Sequence, residues 1–196
     1  SLGAGRLSWA MNSTDLYVFP LGSSVGTLRI RPLAIQPVSA SANTFAARLA
    51  NVDATSDGFD VAETAPELCF VNDLFYNQID HVSGSDPADI TQYFVVADDG
   101  DWENGAHWQG TPQWEDMTGA TVGTSGGYGT VINANWSDFS QPAFALANAL
   151  PEVSIDAVAP LCELSSPVAL NASPAGGTYS GDGVNNGMFN AANAGG

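Results

Sequence analysis

Short runs in which apolar and polar residues alternate, each closed by a cluster of Gly, Pro, Asp or Ser, recur along the first 150 positions. In residues 27–35 (TLRIRPLAI), Leu28 and Ile30 fall on one side of an extended chain and Arg29 and Arg31 on the other. That period of two is the signature of a half-buried strand, and Pro32 marks an edge strand or a bulge. The same pattern predicts strands over residues 15–19, 44–50, 74–82, 90–97, 129–136 and 143–147. Strands of this length between turn clusters describe an all-β fold, with a β-sandwich or jelly-roll-like domain over residues 1–150. The longest unpatterned stretch, residues 51–68, reads as a surface loop.

The pattern changes near residues 149–155. Beyond them, pieces of three to five residues are punctuated by Gly pairs and by an Asn186-Gly187 turn. Residues 151–196 are expected to form part of an immunoglobulin-like β domain, because a whole one needs about seven strands and about 100 residues. The remaining strands would come from further chain or from a neighbouring molecule by strand addition. The opening SLGAGRLSWA has no initiator Met and no basic and apolar leader pattern, and is expected to belong to a longer or processed chain.

Composition narrows the function classes. The 44% hydrophobic content suffices for a real core, while 15 Asp, 6 Glu, 21 Gly and 11 Pro favour turns over helices. Four Lys+Arg against 21 Asp+Glu give a net charge of −17, and the only cations are Arg6, Arg29, Arg31 and Arg48. A nucleic-acid grip or an anionic membrane surface needs clustered cations, so neither is a partner. The absence of Lys removes Schiff-base chemistry, a phosphate-loop lysine and Lys–Asn isopeptide cross-links. No stretch of about 18 apolar residues is present, so membrane insertion by a helix is not expected. A Lys-free, Asp-rich surface stays hydrated where salt screens its self-repulsion, which suits a saline extracellular setting. Cys69 and Cys162 are too far apart in sequence for a CxxC motif; they are disulfide candidates for each other, or else each lacks its partner.

The segment SPVALNASPAGGTYSGDGVNNGMFNAANAGG, residues 166–196, resembles the opening half of the immunoglobulin-like repeats in large secreted surface proteins of Bacteroidetes, the adhesin and gliding-motility-associated proteins exported by type IX secretion. Those repeats run from a Cys through a PAGGTYSG-type turn to a second Cys near their end. The resemblance therefore implies that Cys162 is the first half of a disulfide. Upstream, VFPLGSSVGTLRIRPLAI, DGDWENGAHWQGTPQWEDM and NWSDFSQPAFALA are similar to the module that often precedes such repeats. The likeness implies a cell-surface or filament component and no catalytic residue.

Several clusters carry candidate chemistry. Asp98, Asp99, Asp101, Glu103 and Asn104 form the densest run of side-chain oxygens and are a candidate calcium loop. The match to a helix-loop-helix calcium loop is partial: Gly105 falls one place late, and the twelfth position from Asp99 is Gly110. Trp102, Trp108 and Trp114 recur every six residues and are candidates for a carbohydrate platform or for core packing. His81 and His107, the only histidines, read as surface or turn residues. No GxSxG motif occurs, and no spacing selects two of the 21 acids as a hydrolytic pair. Asn12, Asn135 and Asn171 head N-x-S/T sequons. The leading expectation is a non-catalytic structural or adhesive component of an extracellular assembly, joined to neighbouring copies or further domains of the same protein by strand addition. The alternative is a carbohydrate-binding module for polysaccharide, with the three tryptophans and a calcium loop. A secreted enzyme ranks last.

Overall fold

Antiparallel ladders take up most of the patterned runs. The computed structural model describes residues 5–110, 113–151, 153–162 and 164–194, in two units, Ser1–Leu150 and Pro151–Gly196. Numbering elements in chain order, sheet 1 of the first unit runs β1 (Leu7–Met11), β6 (Asn43–Ala50), β8 (Tyr76–Ser83), β14 (Ala143–Ala149), β10 (Asn104–Trp108), β11 (Trp114–Asp116), and β7 (Leu68–Val71) also pairs with β14. Sheet 2 runs β12 (Ala120–Ser125), β13 (Tyr128–Trp136), β9 (Ala88–Phe94), β5 (Leu33–Pro37), β2 (Tyr17–Phe19). A small ladder joins β3 (Gly22–Ser23) to β4 (Arg29–Ile30).

The two sheets pack as a β-sandwich. Phe45, Ile79, Phe144 and Leu146 of sheet 1 meet Leu33, Ile35, Ile90, Phe94 and Val131 of sheet 2. Each such side chain removed from water contributes about 1.5–3 kcal/mol, which is what holds the layers together. Strand β14 is apolar on both sides. Phe144 and Leu146 face the sandwich, while Ala143, Ala145 and Ala147 face outward into a second cluster with Tyr76, Trp108 and Trp114. That outer face needs its own cover, and the segment expected as a surface loop provides it. A 3-10 turn (Ala54–Asp57) buries Ala54, and Phe59 and Val61 pack on the cluster.

Two further expectations are corrected. Residues 27–35 do not form one strand, because the ladder breaks at Arg31-Pro32, and their polarity is inverted. Leu28 and Ile30 are 68% and 53% exposed, whereas Arg31 is 6% exposed. The run 90–97 ends as a strand at Phe94, and Val96–Asp99 forms a helical turn, α1.

The second unit has two small sheets. β15 (Ser154–Ile155) pairs with β17 (Ala172–Ser173), and β16 (Val168–Ala169), β19 (Met188–Phe189) and β18 (Val184–Asn185) form the other. Asn186 and Gly187 link β18 to β19 with φ of 49° and 74°, the left-handed pair that a two-residue hairpin turn requires. None of the described residues of this unit is buried.

Candidate functional site

The acidic run does not converge on a cation. Asp99 ends α1 with its side chain fully buried, and it is held by two of the four arginines. Arg29 Nε donates to Asp99 Oδ1 at 3.0 Å, Arg31 Nε donates to Oδ2, and the Val95 N–H donates to Oδ2 at 2.7 Å. Arg29 also donates to Asn51 and lies 5.1 Å from the Phe75 ring centroid. A buried carboxylate is tolerable only when paired and hydrogen-bonded, and this one has both provisions. The inverted polarity of residues 27–35 follows: both arginines turn inward because the charge they neutralise is inside. Asp98 is exposed and reaches Arg31 at 3.4 Å, and Asp101 and Glu103 are exposed. Asn104 turns elsewhere, donating to Asp116 at 2.5 Å and accepting from Asn133 at 3.1 Å. Among the described residues no group of three or more His, Cys, Asp or Glu is placed to hold a metal ion.

The three tryptophans form no common platform. Trp114 is fully buried and Trp108 is 7% exposed. They face each other across the β10–β11 ladder, edge to face, with centroids 5.5 Å apart. Trp102 is partly buried against the main core, its indole N–H donating to the Asp99 carbonyl at 2.7 Å. The six-residue spacing reflects a hairpin and its approach rather than one strand, so the indoles serve packing.

The histidines are not the surface residues expected. His107 is fully buried on β10, its Nε2–H donating to the Gln141 carbonyl at 2.8 Å and its Nδ1 accepting from Gln109 at 3.2 Å. Burial holds its pKa below the ordinary 6.5, against the opposing pull of the Gln141 carbonyl and Asp138. His81 stacks on Phe45 with centroids 4.2 Å apart and pairs with Asn43 at 2.9 Å. Its pKa is likewise lowered, chiefly by burial.

The remaining arginines are also committed. Arg6 pairs with Asp80, and Arg48 lies 3.8 Å from Asp57. Cys69, in the first unit, and Cys162, in the second, are each free and exposed. The three sequon asparagines, Asn12, Asn135 and Asn171, are exposed. In the second unit Val158, Leu161, Leu170 and Phe189 line an apolar groove of about 420 Å³, and Val153, Ile155 and Leu164 are 72%, 64% and 96% exposed. The pairing of Arg29 and Arg31 with Asp99 went unread because some 70 residues separate them. Its one sequence signal is that half of a very acidic chain's cations sit within three residues of each other.

Comparison of the chain with family models, curated proteins and solved structures finds no match.

Proposed function

We propose that this chain is a non-catalytic building block of an extracellular, cell-surface assembly, and that residues 151–196 are its joining element, an immunoglobulin-like module completed by a β-strand from a neighbouring copy. The observation that carries this reading is the second unit's lack of any buried residue among those described, beside an open apolar groove. Ordering each residue costs about 1–2 kcal/mol of conformational entropy. A net hydrogen bond returns about 0.5–1.5 kcal/mol, and five strands of two residues supply few of them. With none of its described residues buried and Cys162 free, such a unit gains stability by acquiring cover, and strand addition provides apolar contact and ladder bonds together. The likeness of residues 166–196 to surface-protein repeats of Bacteroidetes supports the same assignment. The jelly-roll-like character of residues 1–150 belongs to this reading as well.

The test is sedimentation velocity over a wide concentration range, at low and high salt, with hydrogen exchange of residues 154–189 followed in parallel. Self-association that grows with salt, accompanied by slowed exchange in those residues, is expected. A monomer at every concentration whose 154–189 amides are already protected would refute the proposal.

A further inference from the structure

On the outer side of a sheet the side chains are ordinarily wet, and on sheet 2 three that carry hydroxyls are not. Thr91 and Tyr93 of β9 and Thr130 of β13 have the outward parity, because Ile90, Phe94 and Val131 beside them fill the core. Yet they are only 6%, 8% and 4% exposed. They line the floor of a groove of about 400 Å³, with β12 along one side and Leu16 and Gln36 along the other. That volume lies in the range of small-ligand sites. The Thr130 hydroxyl projects on the groove side, since a Cβ built on Gly123 across the ladder would sit 3.3 Å from its oxygen.

The chemistry of the lining selects an occupant. A hydroxyl both donates and accepts, so a floor bearing three of them matches a ligand that is itself rich in hydroxyls. At the rim, Asp89 accepts the Asn135 N–H through Oδ1 at 2.7 Å, leaving its other oxygen to face a ligand donor. Gln36 spends its amide nitrogen on the Thr14 carbonyl at 2.9 Å and keeps its own carbonyl as an acceptor. Asp89 is the only charge among the lining residues. No charged residue occurs from 117 to 137, which covers the whole β12–β13 wall, and the chain's −17 repels anions. Ile132, paired with Thr91 and so on the same face, offers apolar surface for the C–H faces of sugar rings.

We infer that this outer groove of sheet 2 binds a neutral polysaccharide, through the hydroxyls of Thr91, Tyr93 and Thr130 with Gln36 and Asp89 as acceptors. The site lies within the first unit and is independent of the joining role given to residues 151–196.

Affinity electrophoresis of the full chain through gels containing a β-glucan, a mannan, a xylan or a galactan, with alginate as the anionic control, tests it. Retardation by at least one neutral polymer and none by alginate is expected. The near-isosteric pair Thr91→Val and Thr130→Val removes two hydroxyls and should weaken retardation about tenfold with the melting temperature little changed. Gly123→Tyr on the exposed β12 plugs the groove with every hydroxyl kept, and should abolish retardation even if the valine pair folds poorly. No retardation by any neutral polymer, or retardation that survives Gly123→Tyr, overturns the inference. Selection of uncharged peptides in place of sugars, sensitive to the same substitutions, would overturn it too by assigning the groove to a polypeptide.

Discussion

Replacing Asp99 by Asn changes one buried atom and isolates the charge at the centre of the clamp. Asn keeps the shape and can still accept from the Val95 N–H, but it leaves the Arg29 and Arg31 guanidiniums, whose side chains are 12% and 7% exposed, without their counter-charge. Breaking a buried pair by removing one partner costs about 3–5 kcal/mol. Counting two hydrogen bonds to charged groups at about 1.5–3 kcal/mol each gives a similar figure. Relief is small. Asp98 lies 3.4 Å from Arg31 but is 65% exposed, which limits its contribution to about 0–1 kcal/mol. Arg29 retains Asn51 and the Leu74 carbonyl. The expected loss is therefore about 3 kcal/mol, or about 6–12 °C in melting temperature for a unit of this size. Guanidinium chloride unfolding followed by tryptophan fluorescence measures it, with Trp102, bonded to the Asp99 carbonyl, as a local reporter. A loss below about 1 kcal/mol at unchanged denaturant dependence would refute the clamp as a stabilising feature.

Three further outcomes are expected. The pKa values of His107 and His81 are depressed in the fold, so below about pH 6.5 the unfolded chain binds protons that the folded chain refuses, and stability falls as pH drops from there. Melting curves from pH 7 to 5, in salt that screens carboxylate repulsion, should show the fall, and His107→Gln should flatten it; a melting temperature that rises on acidification contradicts this. Gly105→Ala should cost about 1–3 kcal/mol in chemical unfolding, because its new methyl would press on Asn133 and lie 3.0 Å from Met117 Sδ in the core, and a neutral result would show that the interior yields there. Because Asp99 is already bound to two arginines, exchanging calcium for chelator should leave the melting temperature within about 1 °C, whereas a rise of several degrees with calcium would restore the loop as a metal site.

The strands most legible in the sequence were those with a clean alternation or a long apolar run, such as β6, β8, β13 and β14. Those of β1, β7, β10 and β11 were not read, because they are short or carry Gly and Trp whose burial depends on tertiary partners, and β12 was missed because it is exposed along most of its length and shows no apolar alternation. The Asn186-Gly187 hairpin was local chemistry and could be read directly. The 27–35 run shows the limit of periodicity: alternation fixes that Arg29 and Arg31 share a side, but which side is inside depends on Asp99, some 70 residues away. His107 was hidden for the same reason, since its acceptor is a backbone carbonyl at Gln141. Of the candidate site residues, the acids and tryptophans are grouped by sequence spacing and separated by the fold.

Each of the four arginines holds at least one aspartate of its own chain. Two molecules meeting one another thus have no unpaired arginine to trade, and an ionic bond from one of these arginines would first require an internal one to open. If copies associate as proposed, their cohesion would fall to backbone ladders and uncharged side chains, and brine rather than pure water would favour it.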